Sequence, residues 1–141
     1  MNKSALTQIK KANRVKGKTL VFRNAEVKDA SFILSLRLDS RKARHLNQTS
    51  SELECQIEWL KNYAENSDQA YFIIENQVGV PLGTVRLYDP QGDSFCWGSW
   101  ILVADAPSTA AIESALMVYA YACEYLGFKT THFDVRKGNE R

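Results

Sequence analysis

The 141-residue sequence lacks a long apolar run, and no run approaches the ~18 residues that a membrane-spanning helix needs. Its basic N-terminus has no apolar core of the kind that marks a secretory signal. No internal repeat or interdomain linker is visible, and seven glycines exclude a collagen-like chain. These absences predict a cytoplasmic protein that has no membrane partner.

Cysteine and histidine are also scarce. Cys55, Cys96 and Cys123 are an odd number, lie far apart and form no C-x-x-C motif. We therefore expect reduced thiols and no metal site. His45 and His132 are expected to be surface or packed side chains rather than ligands, and Cys96, between aromatic residues, is expected to be buried.

Acidic residues are absent from the first 18 positions, which carry six lysines or arginines. The remainder of the chain has 12 basic and 16 acidic residues, so the net charge of +2 conceals an asymmetry. A basic arm of this kind can touch nucleic acid. Residues 1–18 contain no aromatic side chain for base stacking, however, so a nucleic-acid partner is disfavoured. We expect a solvated, frayed arm that folding does not require.

The rest of the chain has the composition of a single compact domain, with 45% hydrophobic and 24% charged residues overall. We assign residues 1–18 to the arm and residues 19–141 to this domain. Ser51-Glu52-Leu53-Glu54 reads as a capping box that opens a helix. The alternation of apolar residues predicts strands at 19–24, 70–75, 81–88, 94–103 and 129–136, and helices from Val27 to about 39–44, from Ser51 past Tyr63, and over 108–126.

The order β, α, α, β, β, β, α, β predicts an α+β fold. Three closely spaced strands form a meander, and a helix then leads to a final parallel strand. Trp97 and Trp100, three residues apart, cannot share a face of a regular strand. One is expected in the core, and the other is a candidate for an acceptor cleft.

The junction between the fifth strand and the last helix is the most informative segment. Ile101-Leu102-Val103 ends the strand, and Pro107 precedes the small residues 108–111. The N–H groups at a helix N-terminus can hold a phosphate or pyrophosphate, and small residues let such a ligand approach. The alternative is an ordinary helix start that is capped by Ser108 or Thr109.

Several strings resemble the GCN5-related N-acetyltransferase (GNAT) superfamily, over residue 19 to the end. Ile101-Leu102-Val103 resembles the end of the family's fourth strand. The family's Gln/Arg-x-x-Gly-x-Gly/Ala phosphate loop has its place at Ser108, Thr109, Ala110, Ala111, Ile112 and Glu113. The string 133–139 resembles the fifth strand and the asparagine that opens the fourth helix. Trp97-Gly98-Ser99-Trp100 and residues 36–60 resemble bacterial members linked to amino-sugar acetylation.

The resemblance implies a GNAT-like mixed, mostly antiparallel sheet with helices on both faces, C-terminally truncated because the chain stops at Arg141. It implies that acetyl-CoA is the cosubstrate. Main-chain groups of Ile101 and Val103 would pair with the pantetheine arm, and the N–H groups of residues 108–113 would hold the pyrophosphate. Asn139 would steady the pantetheine or the entry to the fourth helix.

Three positions depart from the family loop, with Ser108 in place of Gln or Arg and Ala111 and Glu113 in place of glycines. The Glu113 carboxylate suits the helix dipole but repels a pyrophosphate. Either its side chain turns to solvent or the helix binds CoA weakly. In the second case, replacing Glu113 with glycine would tighten CoA binding.

The resemblance makes Asp134 the candidate general base, with a strand-edge carboxylate as the alternative. Arg37, Trp97 and Trp100 are candidate substrate residues, because a guanidinium matches a diphosphate and an indole face suits a sugar ring. For Arg37 the alternative, which the helical spacing of Arg37, Arg41 and Arg44 favours, is a solvated helix face. Glu75 is expected to be a solvated strand-end residue, and the alternative is that it faces the cleft.

The implied function is acetyl-CoA-dependent N-acetylation of a small amine, such as an amino sugar or a nucleotide-linked amino sugar. The alternative is a truncated, catalytically weak protein that acts as a CoA-binding or oligomeric interaction module. Since the strand 129–136 would leave an open edge, we expect a homodimer.

Overall fold

A computed structural model describes residues 7–40 and 50–132. Six strands form one sheet in sequence order: β1 (Arg14–Lys16), β2 (Leu20–Asn24), β3 (Ala70–Asn76), β4 (Pro81–Gln91), β5 (Ser94–Leu102) and β6 (Thr130–Thr131). Strands β1 to β5 pair antiparallel, and β6 runs parallel to β5, with Ser94 opposite Thr130. The predicted α+β class, with a parallel strand at the end, is confirmed.

The helices lie on both faces of the sheet. A 3-10 turn (Val27–Asp29) leads into α1 (Ala30–Ser40), which is followed by α2 (Ser50–Glu65). After β5 come α3 (Ala110–Tyr119) and a π-helical segment (Ala120–Leu126) that ends at Gly127, where φ is +94°. In the described part of the chain, no helix is long and apolar enough to cross a membrane.

Strand β3 separates two apolar cores. Phe72 and Ile74 pack toward α3 and the π-helical segment, whereas Tyr71 and Ile73 pack toward α1 and α2. Because successive side chains of a strand point to opposite faces, a strand that is covered on both sides is apolar throughout. This explains why the first six residues of β3, Glu75 included, are all buried.

Three local predictions are corrected. Ser51 cannot open α2, because the helix has already begun at Ser50. The predicted helix 108–126 begins at Ala110 and changes from α- to π-helical winding at Ala120. Strand β4 continues through the predicted turn as far as Gln91, with Asp89 in the left-handed region at φ +55° and the tight turn at Gly92.

The largest correction concerns residues 7–18, the described part of the arm that was expected to be frayed. Residues 14–16 form β1 beside β2, and Ile9 is 2% exposed within the core under α3. The Tyr121 hydroxyl donates to the main-chain carbonyl of Lys10. Strand β1 could not be predicted from the sequence, because three residues are too few for alternation to be recognised.

Strand β5 contains a bulge. Between the pairs Thr84–Ile101 and Gly98–Arg86, β4 advances two residues and β5 three. Ser99 occupies the bulge with φ +48°, and the Thr84 hydroxyl donates to its carbonyl at 2.8 Å. The extra residue brings Trp97 and Trp100 onto one face, with ring centroids 5.1 Å apart. The prediction that they lie on different faces is wrong, because it assumed a regular pleat.

Because Ile9 fills the core, Ile9→Ala should lower the free energy of unfolding by about 2–5 kcal/mol. For the same reason, deletion of residues 1–17 should lower the melting temperature. Urea unfolding followed by circular dichroism measures the first effect. Lys10→Ala is the matched control, since its side chain is exposed and such changes stay within about 0.5 kcal/mol. Equal effects of the two substitutions would contradict the packing of Ile9.

Candidate functional site

The N-terminus of α3 faces the solvent. Ser108 and Thr109 are exposed, and Thr109 holds the N-cap position without a side-chain cap bond. The N–H of Ala110 donates to the Pro107 carbonyl at 2.9 Å, and that of Glu113 donates to the Thr109 carbonyl at 2.9 Å. Between them, Ala111 and Ile112 occupy positions whose N–H groups have no intrahelical partner. These groups and the dipole are the features of an anion site.

The Glu113 side chain does not turn to solvent, and the expectation of weak CoA binding stays a prediction. Its carboxylate accepts hydrogen bonds from the N–H of Thr19 (2.8 Å), the hydroxyl of Thr19 (2.5 Å) and the N–H of Leu20 (3.1 Å). The charge therefore binds the turn between β1 and β2 rather than facing bulk solvent. Gly17 makes room for it, since a Cβ there would lie 2.7 Å from Glu113 Oε2 and 2.5 Å from Met117 Sδ.

These donors set the titration of Glu113. Partial burial acts to raise the pKa of this carboxyl, but the hydrogen bonds from Thr19 and the neighbouring main chain outweigh it, so the pKa is lowered. The carboxylate is therefore charged at neutral pH and compensated by donors from the β1–β2 turn.

The end of β5 carries the predicted pantetheine contacts. Val103 already uses both main-chain groups, since its N–H donates to the Leu82 carbonyl at 2.8 Å and its carbonyl accepts from Ala106 at 3.1 Å. Only the second lone pair of that carbonyl is left for a ligand. Ile101 lies opposite Thr84, and its carbonyl would be 2.2 Å from a Cβ at position 83, so Gly83 permits the close approach of β4 and β5.

A cleft of about 360 Å³ opens on the opposite face of the sheet, between α1, α2 and the bulge of β5. Two of its lining residues are arginines and none is acidic; they are Arg37, Gln56, Trp59, Tyr71, Arg86, Ser99 and Ile101. Arg37 lies at the mouth of the cleft, where its Nη1 donates to Gln56 Oε1 at 3.1 Å. The cleft thus offers two positive charges with aromatic walls.

Arg86 is the deeper of the two cations. Its Nη1 donates to Gln69 Oε1 at 3.0 Å, and its guanidinium lies 4.2 Å from the ring centroid of Tyr88 and 5.9 Å from that of Trp59. Its Nε–H is buried and donates to no acceptor within the described residues. A buried donor without a partner is costly, so this atom suits an acceptor that a ligand brings.

Both arginines act on Tyr71. Burial raises the pKa of the Tyr71 phenol, while a hydrogen bond with Thr84 and the charges of Arg37 and Arg86 oppose the rise. The phenol is therefore neutral at physiological pH. The two positive charges converge on one buried ring, where an anion would relieve their mutual repulsion.

The structure does not bring the two tryptophans to this cleft. Trp97 donates to the Tyr119 hydroxyl at 3.0 Å and Trp100 to the Ser114 hydroxyl at 3.0 Å, so both lie on the α3 side of the sheet. Their substrate role stays a prediction. Asp134 and Asn139 lie outside the described residues. Glu75, expected in solvent, is buried and accepts from Arg23 at 2.6 Å.

Sequence reasoning missed most of the cleft. Arg86, Gln56, Trp59 and Tyr71 come from three separate elements. Arg86 gave one usable signal, because a charged residue inside the apolar strand 81–88 must find a polar environment. No local sequence pattern indicated which helix would pack opposite Arg86.

A family model described as an acetyltransferase (GNAT) domain matches residues 19–141. The chain belongs to the GNAT family. This confirms the expectation drawn from the strings around the α3 junction, and it makes the protein an acyltransferase by family. No curated protein sequence matches this GNAT chain significantly.

Solved structures extend the comparison. A structure described as apo FdhC, a nucleotide-linked sugar GNAT, is 41% identical, with a TM-score of 0.76 over 90% of this GNAT chain and 75% of that chain. A GCN5-related N-acetyltransferase from Brucella melitensis is 17% identical (TM-score 0.67, 96% and 66% covered). An acetyltransferase from Clostridium acetobutylicum, solved with acetyl-CoA, is 12% identical (TM-score 0.55, 85% and 83% covered). The last two share the fold alone.

Glu113→Gln should lower the free energy of unfolding at pH 7 by about 1 kcal/mol, since hydrogen bonds to a charged group are lost and the site is partly solvated. The folded-state pKa is lowered, so this stability is present above the unfolded value near 4.5 and is lost as the pH falls through the folded-state pKa. Urea unfolding at pH 7 and at acidic pH tests both points. Glu124→Gln, on the exposed side of the π-helical segment, is the control, and an equal loss there would contradict the role of Glu113.

Proposed function

We propose that the chain transfers an acetyl group from acetyl-CoA to the amine of a nucleotide-linked amino sugar. The observation that carries the acceptor class is the cleft with Arg37 at its mouth and the unpaired Nε–H of Arg86 inside. Two guanidiniums suit a diphosphate, which presents several oxygens to planar donors. The similarity to a nucleotide-linked sugar GNAT, at 41% identity, supports the same class.

The residues at the start of α3 fit a pyrophosphate. Ser108 and Thr109 are exposed, Ala110 and Ala111 are small, and the Glu113 charge is engaged by Thr19 and Leu20. The feature expected to repel CoA is therefore compensated within the chain. The N–H groups of Ala111 and Ile112 would hold the phosphate oxygens. The remaining lone pair of the Val103 carbonyl would accept a hydrogen bond from the pantetheine.

The reaction needs an acceptor amine and a thioester at the same strand. Bound acetyl-CoA would supply the thioester carbonyl that the neutral amine attacks. The new C–N bond forms as the C–S bond breaks, and CoA leaves as a thiolate that takes a proton from solvent. The bulge at Ser99 interrupts the regular pairing of β4 and β5 between the cleft and the α3 junction. The acceptor and acetyl-CoA are proposed to meet beside this bulge. Asp134, in the string after β6, is proposed as the base that takes the amine proton.

Arg37→Gln tests the acceptor class, with Arg14→Gln as the matched control at an exposed arginine on β1. The loss of a charge-assisted contact of about 1.5–3 kcal/mol should raise the KM for a nucleotide-linked amino sugar at least tenfold. The KM for acetyl-CoA and for a free amino sugar should change little. An equal effect on free and nucleotide-linked acceptors would contradict a diphosphate at Arg37.

Acetyl-CoA binding is measured separately by thermal unfolding, where a ligand at 100 times its Kd stabilises the fold by ~2.7 kcal/mol. No shift at millimolar acetyl-CoA would remove the cofactor claim. Binding without turnover on any amine tested would favour the alternative, a CoA-binding or oligomeric interaction module.

Self-association is part of the proposal, and the α3 surface supports it. Ile112 is 68% exposed, Leu116 64% and Tyr119 38%, and they lie on one side of the helix at spacings of four and three. Among the strands of the described residues, β6 lies at the edge of the sheet beside β5. A second copy of the chain would cover this apolar stripe and edge in a two-fold dimer.

Leu116→Glu should weaken the dimer at least tenfold, since a charge replaces an apolar contact at the interface. Sedimentation velocity at micromolar concentration measures the change. Val78→Glu is the control, because Val78 is 84% exposed in the β3–β4 turn. A wild-type chain that sediments as a monomer would contradict the proposal.

A further inference from the structure

A cluster of metal-binding atom types lies where the β4–β5 hairpin meets β6. Asp89, Cys96 and His132 each offer one donor atom, and the three atoms lie within 4.8 Å of one another. His132 Nε2 is 3.0 Å from Asp89 Oδ2, and Cys96 Sγ is 3.8 Å from the same oxygen. One oxygen, one sulfur and one nitrogen therefore surround a common point.

We propose that these three side chains bind a borderline divalent cation, of which Zn²⁺ is the type, with water as the fourth ligand. Zinc takes thiolate, imidazole and carboxylate ligands in a tetrahedron with bonds of about 2.0–2.3 Å. The edges of such a tetrahedron are about 3.2–3.6 Å long. The distances from Asp89 Oδ2 to the His132 nitrogen and the Cys96 sulfur lie close to this range.

Ser94 supplies the outer contact that such a site needs. Its hydroxyl lies 2.6 Å from His132 Nδ1 while Nε2 faces Asp89. A ligating histidine commonly gives its other N–H to a neighbouring acceptor, which fixes the ring. With the ion bound at Nε2, the imidazole proton resides on Nδ1 and is donated to Ser94. The Cys96 thiol loses its proton to solvent on binding, so the site takes up M²⁺ and releases H⁺.

The main chain holds the ligands in place. Cys96 is opposite Tyr88 in the β4–β5 ladder, and the N–H of His132 donates to the Phe95 carbonyl at 2.9 Å. Cys96 is 1% exposed, whereas the side chains of Asp89 and His132 are 42% and 28% exposed. A bound cation would therefore have the buried Cys96 on its inner side and the solvent, which would supply the water ligand, on its outer side.

The expectation of no metal site rested on spacing along the chain. Asp89 and Cys96 are separated by six residues across a hairpin, and His132 directly follows β6, the strand that pairs parallel with β5. No C-x-x-C or His-rich motif indicates this site, because its three ligands come together only through sheet pairing. The bound ion would link the tip of the hairpin to β6, which has only two residues in the ladder.

Co²⁺ is the probe, because a thiolate ligand gives it a near-ultraviolet charge-transfer band. Titration of the full-length, metal-free chain should show one Co²⁺ bound per chain, displaced by Zn²⁺ and accompanied by proton release. The band should disappear in Cys96→Ser and persist in the control Cys123→Ser, since Cys123 is an exposed thiol elsewhere. Zn²⁺ should raise the melting temperature of the wild type.

His132→Gln and Ser94→Ala test the proposal independently if the buried Cys96 variant fails to fold. His132→Gln removes a ligand and should abolish stoichiometric binding, whereas His45→Gln should not. Ser94→Ala, an outer contact, should weaken Co²⁺ binding about 10–100-fold. The proposal is overturned if millimolar Co²⁺ gives no thiolate band, if a folded His132→Gln binds as the wild type does, or if the band depends on Cys123.

Discussion

The burial of β3 on both faces is the constraint on which the rest of the molecule depends. Its residues Ala70, Phe72, Ile73 and Ile74 are wholly buried, so the chain must supply a helical layer on each side. Helices α1 and α2 cover Tyr71 and Ile73, and α3 with the π-helical segment covers Phe72 and Ile74. One face of the sheet therefore carries the cationic cleft, and the other carries the N-terminus of α3.

Strand β5 contributes side chains to both faces of the sheet. The bulge at Ser99 sends Ile101 to the cleft and turns both Trp97 and Trp100 toward α3. A regular strand would have divided the tryptophans between the faces. The bulge costs some ladder pairing, and the hydrogen bond from Thr84 to the Ser99 carbonyl offsets part of that cost.

The N-terminal segment stabilises the helix on which the cofactor proposal relies. Glu113, in the first turn of α3, receives three hydrogen bonds from Thr19 and Leu20, while Ile9 fills the core below. The helix start is thereby fixed to the β1–β2 turn. Glycine in place of Glu113 would leave more room for a phosphate but would remove the contact to the β1–β2 turn. The sequence shows only the acidic residue, and its partners lie more than ninety positions away.

The sequence by itself determined the element types, their order and the family. Two-residue and helical periodicities are local, and they predicted β2 to β5, α1, α2 and the helix at 110–126 within a few residues. The strand-to-helix junction at Ile101 to Glu113 carried the family resemblance for the same reason. Tertiary structure alone decided which faces meet. It added β1, because a three-residue strand is defined by its partner, and it moved Trp97 beside Trp100, because a bulge depends on the neighbouring strand. It also gathered Arg37 with Arg86, and Asp89 with His132, since sheet pairing and helix packing bring together residues that no local pattern connects.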